Sequence, residues 1–73
     1  MTMKRYALVI EPTSTGFSAY SPDVPGCASA GDTVEETRRN FQEALTSHFE
    51  AMHEIGEPIP EPTIAVDYVE VAA

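Results

Sequence analysis

The sequence predicts an α+β domain of order β-β-β-α-β, with one helix packed on a four-stranded mixed sheet. Three observations carry that expectation. Two short runs of apolar and branched residues flank a turn-rich tetrapeptide. A capping box opens one long amphipathic segment, and prolines at alternate positions separate that segment from a last apolar run. At 73 residues the chain has room for a single domain.

Residues 4–11 read as the first strand: Tyr6, Leu8, Val9 and Ile10 suit a pleated backbone, and Pro12 brings no N–H to continue a ladder. Thr13, Ser14, Thr15 and Gly16 have turn composition, so residues 17–21 return as the second strand of a hairpin. Pro22, Asp23, Val24, Pro25 and Gly26 form a loop stiffened by two prolines and released by a glycine. A short third strand, residues 27–30, then leads to Gly31, which is expected to supply backbone freedom before the helix.

Thr33 and Glu36 form the capping box, the threonine serving a backbone N–H while the glutamate reaches back. Glu35 and Glu36 also place negative charge in the first turn, where the helix dipole favours it. Val34, Phe41, Ala44, Leu45, Phe49, Met52 and Ile55 recur at helical spacing. Gly56 is the natural residue past the helix end, and Pro58 prevents continuation. Residues 57–62, with Pro58, Pro60 and Pro62, make an extended connector, and residues 64–71 a final strand with Val66, Tyr68, Val69 and Val71. A right-handed crossover through the helix would set that strand parallel to the first, giving the order 3-2-1-4.

One feature of the first strand bears on function. Tyr6, Leu8 and Ile10 alternate with Ala7 and Val9, so both faces are apolar. Strands of that kind are normally covered on both sides, and one helix covers one side. The other face, or the edge along residues 64–71, is expected to meet a second subunit or a partner. A domain this small is also only marginally stable alone. Homo-dimerisation or higher assembly is the expectation.

Composition narrows the function further. Cys27 is the only cysteine, so an internal disulfide is excluded, and a small buried core residue in a reducing, cytoplasmic setting is expected. His48 and His53 lie five apart, about 140° around a helix, and do not share a face. No cofactor or metal is expected. No apolar run approaches a membrane span or a secretory leader. Four basic residues, Lys4, Arg5, Arg38 and Arg39, stand against twelve acidic ones, for a net charge of −8. Direct nucleic-acid binding draws on clustered bases, whereas an acidic surface steers a basic partner.

Glu43, Glu50 and Glu54 are the candidates for that partner contact, since they share a helix face beyond the first turn, where capping does not explain them. Asp23 in the two-proline loop is the further candidate. Pro22, Pro25, Gly26, Gly31, Thr33, Glu36 and Gly56 read as structural, and Arg38 and Arg39 as local partners of Glu35 or Glu43.

Taken together, residues 6–11, Gly16-Phe17, Pro22-Asp23-Val24-Pro25-Gly26-Cys27, Gly31-Asp32-Thr33, Glu35-Glu36, Ala44-Leu45 and Gly56-Glu57-Pro58-Ile59-Pro60 resemble the N-terminal domain of HicB-type antitoxins. The resemblance runs over nearly the whole chain. It implies a partial RNase H-like fold and a role in neutralising a small basic mRNA-cleaving toxin of the HicA type by covering its active surface. Many members of that family carry a C-terminal DNA-binding domain; with the last strand ending two residues before Ala73, none is expected here. An active RNase H-like enzyme would instead gather carboxylates around metal ions; the candidates are Glu11, Asp23 and Asp67, and the resemblance is to a non-catalytic version. The alternative to an antitoxin is an orphan homo-oligomeric structural or regulatory domain without a toxin partner.

Overall fold

The hairpin forms where the turn residues fall. In a computed structural model, which describes residues 3–73, β1 (Val9–Pro12) and β2 (Phe17–Tyr20) pair antiparallel, with Val9 opposite Tyr20 and Pro12 opposite Phe17. The turn between them is closed by Thr13. Its N–H donates to the Gly16 carbonyl at 2.8 Å, and its hydroxyl accepts from the Gly16 N–H at 3.1 Å. The two-proline loop turns on backbone bonds from Val24 to Ser21 and from Cys27 to Val24, with Gly26 at φ 88°. The chain then enters β3 (Ala28–Gly31), antiparallel to β2.

The helix α1 (Val34–Glu54) has the ends the sequence predicts. The Thr33 hydroxyl accepts from the Glu36 N–H at 3.0 Å, while the Glu36 carboxylate accepts from Asp32, one residue further back than in the usual box. At the other end, Gly56 donates to the His53 carbonyl and Glu57 to the Met52 carbonyl, a Schellman closure around Gly56 at φ 76°. Hydrogen bonds fasten the helix to β3: the Ser29 hydroxyl donates to the Thr37 carbonyl, and the Asn40 amide to the Ala30 carbonyl, both at 2.9 Å.

Ala19, Val24, Cys27 and Phe41 form the buried core, with Tyr6, Leu8, Ile10, Ala44, Leu45 and Phe49 packed around them. The register puts Ile10, Ala19 and Ser29 in line on the helix side of the sheet, and Val9, Tyr20 and Ala28 in line on the other. On that other side Tyr20 is 44% exposed.

The fold is therefore α+β, but the expected four-stranded sheet of order 3-2-1-4 is corrected to three antiparallel strands in the order β1-β2-β3. Residues 64–71 join no ladder. The contact at its root spans forty residues: Thr63 and Ile64 donate their N–H groups to the Asp23 carboxylate, so the segment starts bonded to the two-proline loop rather than to an edge of the sheet. The first strand is also shorter than expected at its start. Its pairing begins at Val9 because β2 ends opposite, at Tyr20, just before Pro22. Its last residue is Pro12, tolerated at a ladder end where a missing donor costs little.

The glycines before the helix serve close packing. Gly31 is not at positive φ, which corrects the expectation of backbone freedom. A Cβ there would lie 2.8 Å from the Thr37 hydroxyl and 2.9 Å from its backbone N. At Gly16 a Cβ would lie 2.4 Å from the Gly31 carbonyl oxygen, a backbone atom with little room to yield. Gly16→Ala is accordingly expected to lose about 1–3 kcal/mol, the usual cost of overpacking. Urea unfolding measures this directly, and an unchanged midpoint would show that the hairpin turn shifts freely.

Candidate functional site

The acidic face is built by helix geometry. Phe41 and Phe49 turn into the core, and Glu43, Glu50 and Glu54 fall about 140–180° from the line midway between them at 100° per residue. All three are exposed. The Arg38 guanidinium pairs with Glu35 as expected, at 2.5 Å. Arg39 shares a shallow groove with Gln42, Glu43 and Thr46. The outward side of the helix is thus a solvated, predominantly acidic surface.

Asp23 stands apart from those glutamates and has a task within the chain. Its carboxylate accepts from the Thr63 hydroxyl at 2.8 Å, the Thr63 N–H at 3.0 Å and the Ile64 N–H at 3.1 Å. Two further contacts hold the preceding connector. The Tyr6 hydroxyl donates to the Pro60 carbonyl at 2.6 Å, and Lys4 pairs with Glu61. The sequence reading missed this clamp because the partners lie about forty and fifty residues apart. No local pattern links them.

The bond from Ile64, followed by those from Thr63, holds the Asp23 carboxyl below its ordinary pKa. A carboxylate lowered on folding stabilises fully above the unfolded pKa, about 3.9, and loses that contribution as pH falls through the folded value. The clamp is therefore expected to hold at neutral pH and to release only in acid. NMR shifts of the Thr63 and Ile64 amides should titrate together below about pH 4 in the native chain and stop titrating in Asp23→Asn. Amide shifts that move at neutral pH instead would place another group in control.

Beyond the clamp the chain becomes an arm. Val66 is 56% exposed, Tyr68 90%, Val69 87% and Val71 77%. The radius of gyration is 14.0 Å and the longest dimension 48 Å. A compact domain of this length would have a radius near 11 Å.

The other chemistry-bearing residues do not assemble. Among the described residues no three of His, Cys, Asp and Glu gather where a metal ion could bind, so Glu11, Asp23 and Asp67 do not form a carboxylate cluster. Cys27 is buried, and burial raises its thiol pKa, which keeps it protonated at neutral pH and slow to react. No helix among the described residues is long and apolar enough to cross a membrane.

The chain is thus an α+β module with an acidic outer helix face and an exposed sheet face. Residues 6–72 match the family model described as the HicB-like antitoxin of bacterial toxin–antitoxin systems. The chain belongs to the HicB-like antitoxin family. It is 36% identical to Antitoxin HicB 2 of Photorhabdus laumondii, over 94% of this chain and 50% of that one. It is 41% identical to an uncharacterised 14.9 kDa protein of Haemophilus phage HP1, over 88% of this chain and 48% of that one. The chain thus spans about half the length of the curated relatives it matches. Among solved structures, a chain of a HicA3 and HicB3 toxin–antitoxin complex superposes with a TM-score of 0.71 at 38% identity, covering 82% of this chain and 70% of that one. The Antitoxin HicB3 crystal structure superposes with a TM-score of 0.67 at 40% identity, covering 78% and 42%.

Proposed function

We propose that this chain neutralises a small basic mRNA-cleaving toxin of the HicA type by binding it and occluding its active surface. The observation that carries the proposal is the exposed line of Glu43, Glu50 and Glu54, on the side of the helix that the core leaves free. A protein that grips RNA presents positive charge, and an acidic face offers that charge a competing partner. The likeness to a chain from a HicA3–HicB3 complex supports the same partner class. No bond needs to be made or broken. Occlusion requires only an interface that covers the RNA-binding surface and excludes substrate.

Asp23 contributes indirectly in this reading, by fixing the course of residues 63–64 beside the two-proline loop. The apolar sheet face around Val9 and Tyr20 serves self-association into a homo-dimer or larger assembly. That open face also favours a second reading, an orphan homo-oligomer without a toxin.

Co-expression separates the two. The antitoxin reading expects this chain to restore growth to cells producing a HicA-type toxin and to co-purify with it at low salt. A panel of such toxins that neither bind this chain nor are silenced by it would leave the orphan oligomer.

A further inference from the structure

We propose that residues 64–71 form a strand only between molecules: the arm of each copy adds to the free edge of β1 in a second copy, reciprocally. This inference rests on the self-association part of the reading above and is independent of toxin binding.

Two segments of the chain lack what a strand needs. Among the described residues, neither 4–8 nor 64–73 makes a backbone–backbone hydrogen bond, and the outer edge of β1 has no neighbour because β1 ends the sheet. Both segments carry apolar residues on alternating positions of both faces: Tyr6, Leu8, Ile10 with Ala7, Val9 in one, and Ile64, Val66, Tyr68 with Val69, Val71 in the other. Residues 4–11 and 64–71 are eight residues each, so the edge and the arm match in length at about 3.3 Å per residue. A chain of this composition leaves neither an edge nor an apolar arm bare without a consequence, since unpaired edges recruit strands.

The clamp explains why the two segments do not pair within one molecule. Asp23 takes the Thr63 and Ile64 donors, and Tyr6 and Lys4 hold Pro60 and Glu61, so the arm is directed outward from a fixed root. A fixed root and an exposed apolar continuation give the geometry of an exchanged strand. The 87–90% exposure of Tyr68 and Val69 is surface that the single chain does not cover.

Charge identifies the occupant as a second copy. Residues 4 and 5 are Lys4, paired with Glu61 of its own chain, and Arg5, so half of all the basic residues in a chain of net charge −8 lie at this edge. The arm carries Asp67 and Glu70 and no base. Pairing arm to arm would bring those acids together, and a basic toxin would meet Lys4 and Arg5 unfavourably at this edge. An acidic, apolar strand suits the edge, and each copy supplies one.

The test uses the 73-residue chain itself. Sedimentation equilibrium should show a dimer or a multiple of it at micromolar concentration. A mixture of differently isotope-labelled chains should give intermolecular NOEs between residues 66–69 and residues 6–9. Val69→Pro removes a ladder donor at a position 87% exposed in the single chain, so the fold has no reason to fail. It should weaken association about tenfold or more, with the helical circular dichroism unchanged. Tyr68→Lys should do the same without proline. A dimer unaffected by both variants, or NOEs that run arm to arm, would overturn the strand exchange while leaving self-association standing. A monomer at high concentration would overturn both.

Discussion

Phe41→Ala is expected to remove about half of the domain's stability or more. Phe41 is 4% exposed and closes the core against Ala19, Val24 and Cys27. Removing a buried phenylalanine side chain costs about 3–5 kcal/mol, the sum of lost transfer energy and the cavity left behind. A domain of this size has about 4–10 kcal/mol in total. The cavity cannot collapse easily, because the helix is fastened to β3 at Thr37 and Asn40, in the turn just before that position. The measurement is urea unfolding followed by circular dichroism, with Phe41→Leu as the milder partner expected to fold. A midpoint barely moved by the alanine would mean that the core lies elsewhere, and the position assigned to the acidic helix face would fall with it.

Reversing the three outward acids should have the largest effect on function. The variant Glu43→Lys, Glu50→Lys, Glu54→Lys is expected to bind a HicA-type toxin about a hundredfold more weakly, at about 1 kcal/mol for each reversed charge. Each change is on an exposed position opposite the core, so the thermal midpoint should shift only slightly. The loss should appear mainly as slower association at low ionic strength and should shrink as salt is added, because steering between exposed charges is screened. Stopped-flow association across a salt series reads both quantities. A triple variant that binds and protects cells as the native chain does would move the toxin contact to the sheet face or the arm.

The elements legible in the sequence are those set by neighbours in the chain. Thr33 and Glu36 announced the helix start, and Gly56 with Pro58 its end, because caps and breakers act within a few residues. The turn at residues 13–16 and the two-proline loop were legible for the same reason. The outward placement of Glu43, Glu50 and Glu54 followed from periodicity once Phe41 and Phe49 defined the inner face. The Arg38–Glu35 pair needed only a spacing of three. The family resemblance, drawn from the same motifs, agrees with the match over residues 6–72.

What escaped the sequence depends on contacts between distant residues. Residues 64–71 have the composition of a strand, yet composition does not say which edge a strand will meet, or in which molecule. Asp23 fixes the root of that segment beside the two-proline loop by accepting from Thr63 and Ile64. Gly31 looked like a flexible joint and proved to be a contact point, because the approach of Thr37 exists only once α1 lies on β3. By itself, then, the sequence determined the order of the three strands and the helix, the faces of that helix and the acidic character of the surface, all properties of local spacing and charge. The tertiary structure alone decided the clamp at Asp23 and the placement of residues 64–71 outside the sheet, because Asp23 meets Thr63 and Ile64 only when folding brings together residues forty apart.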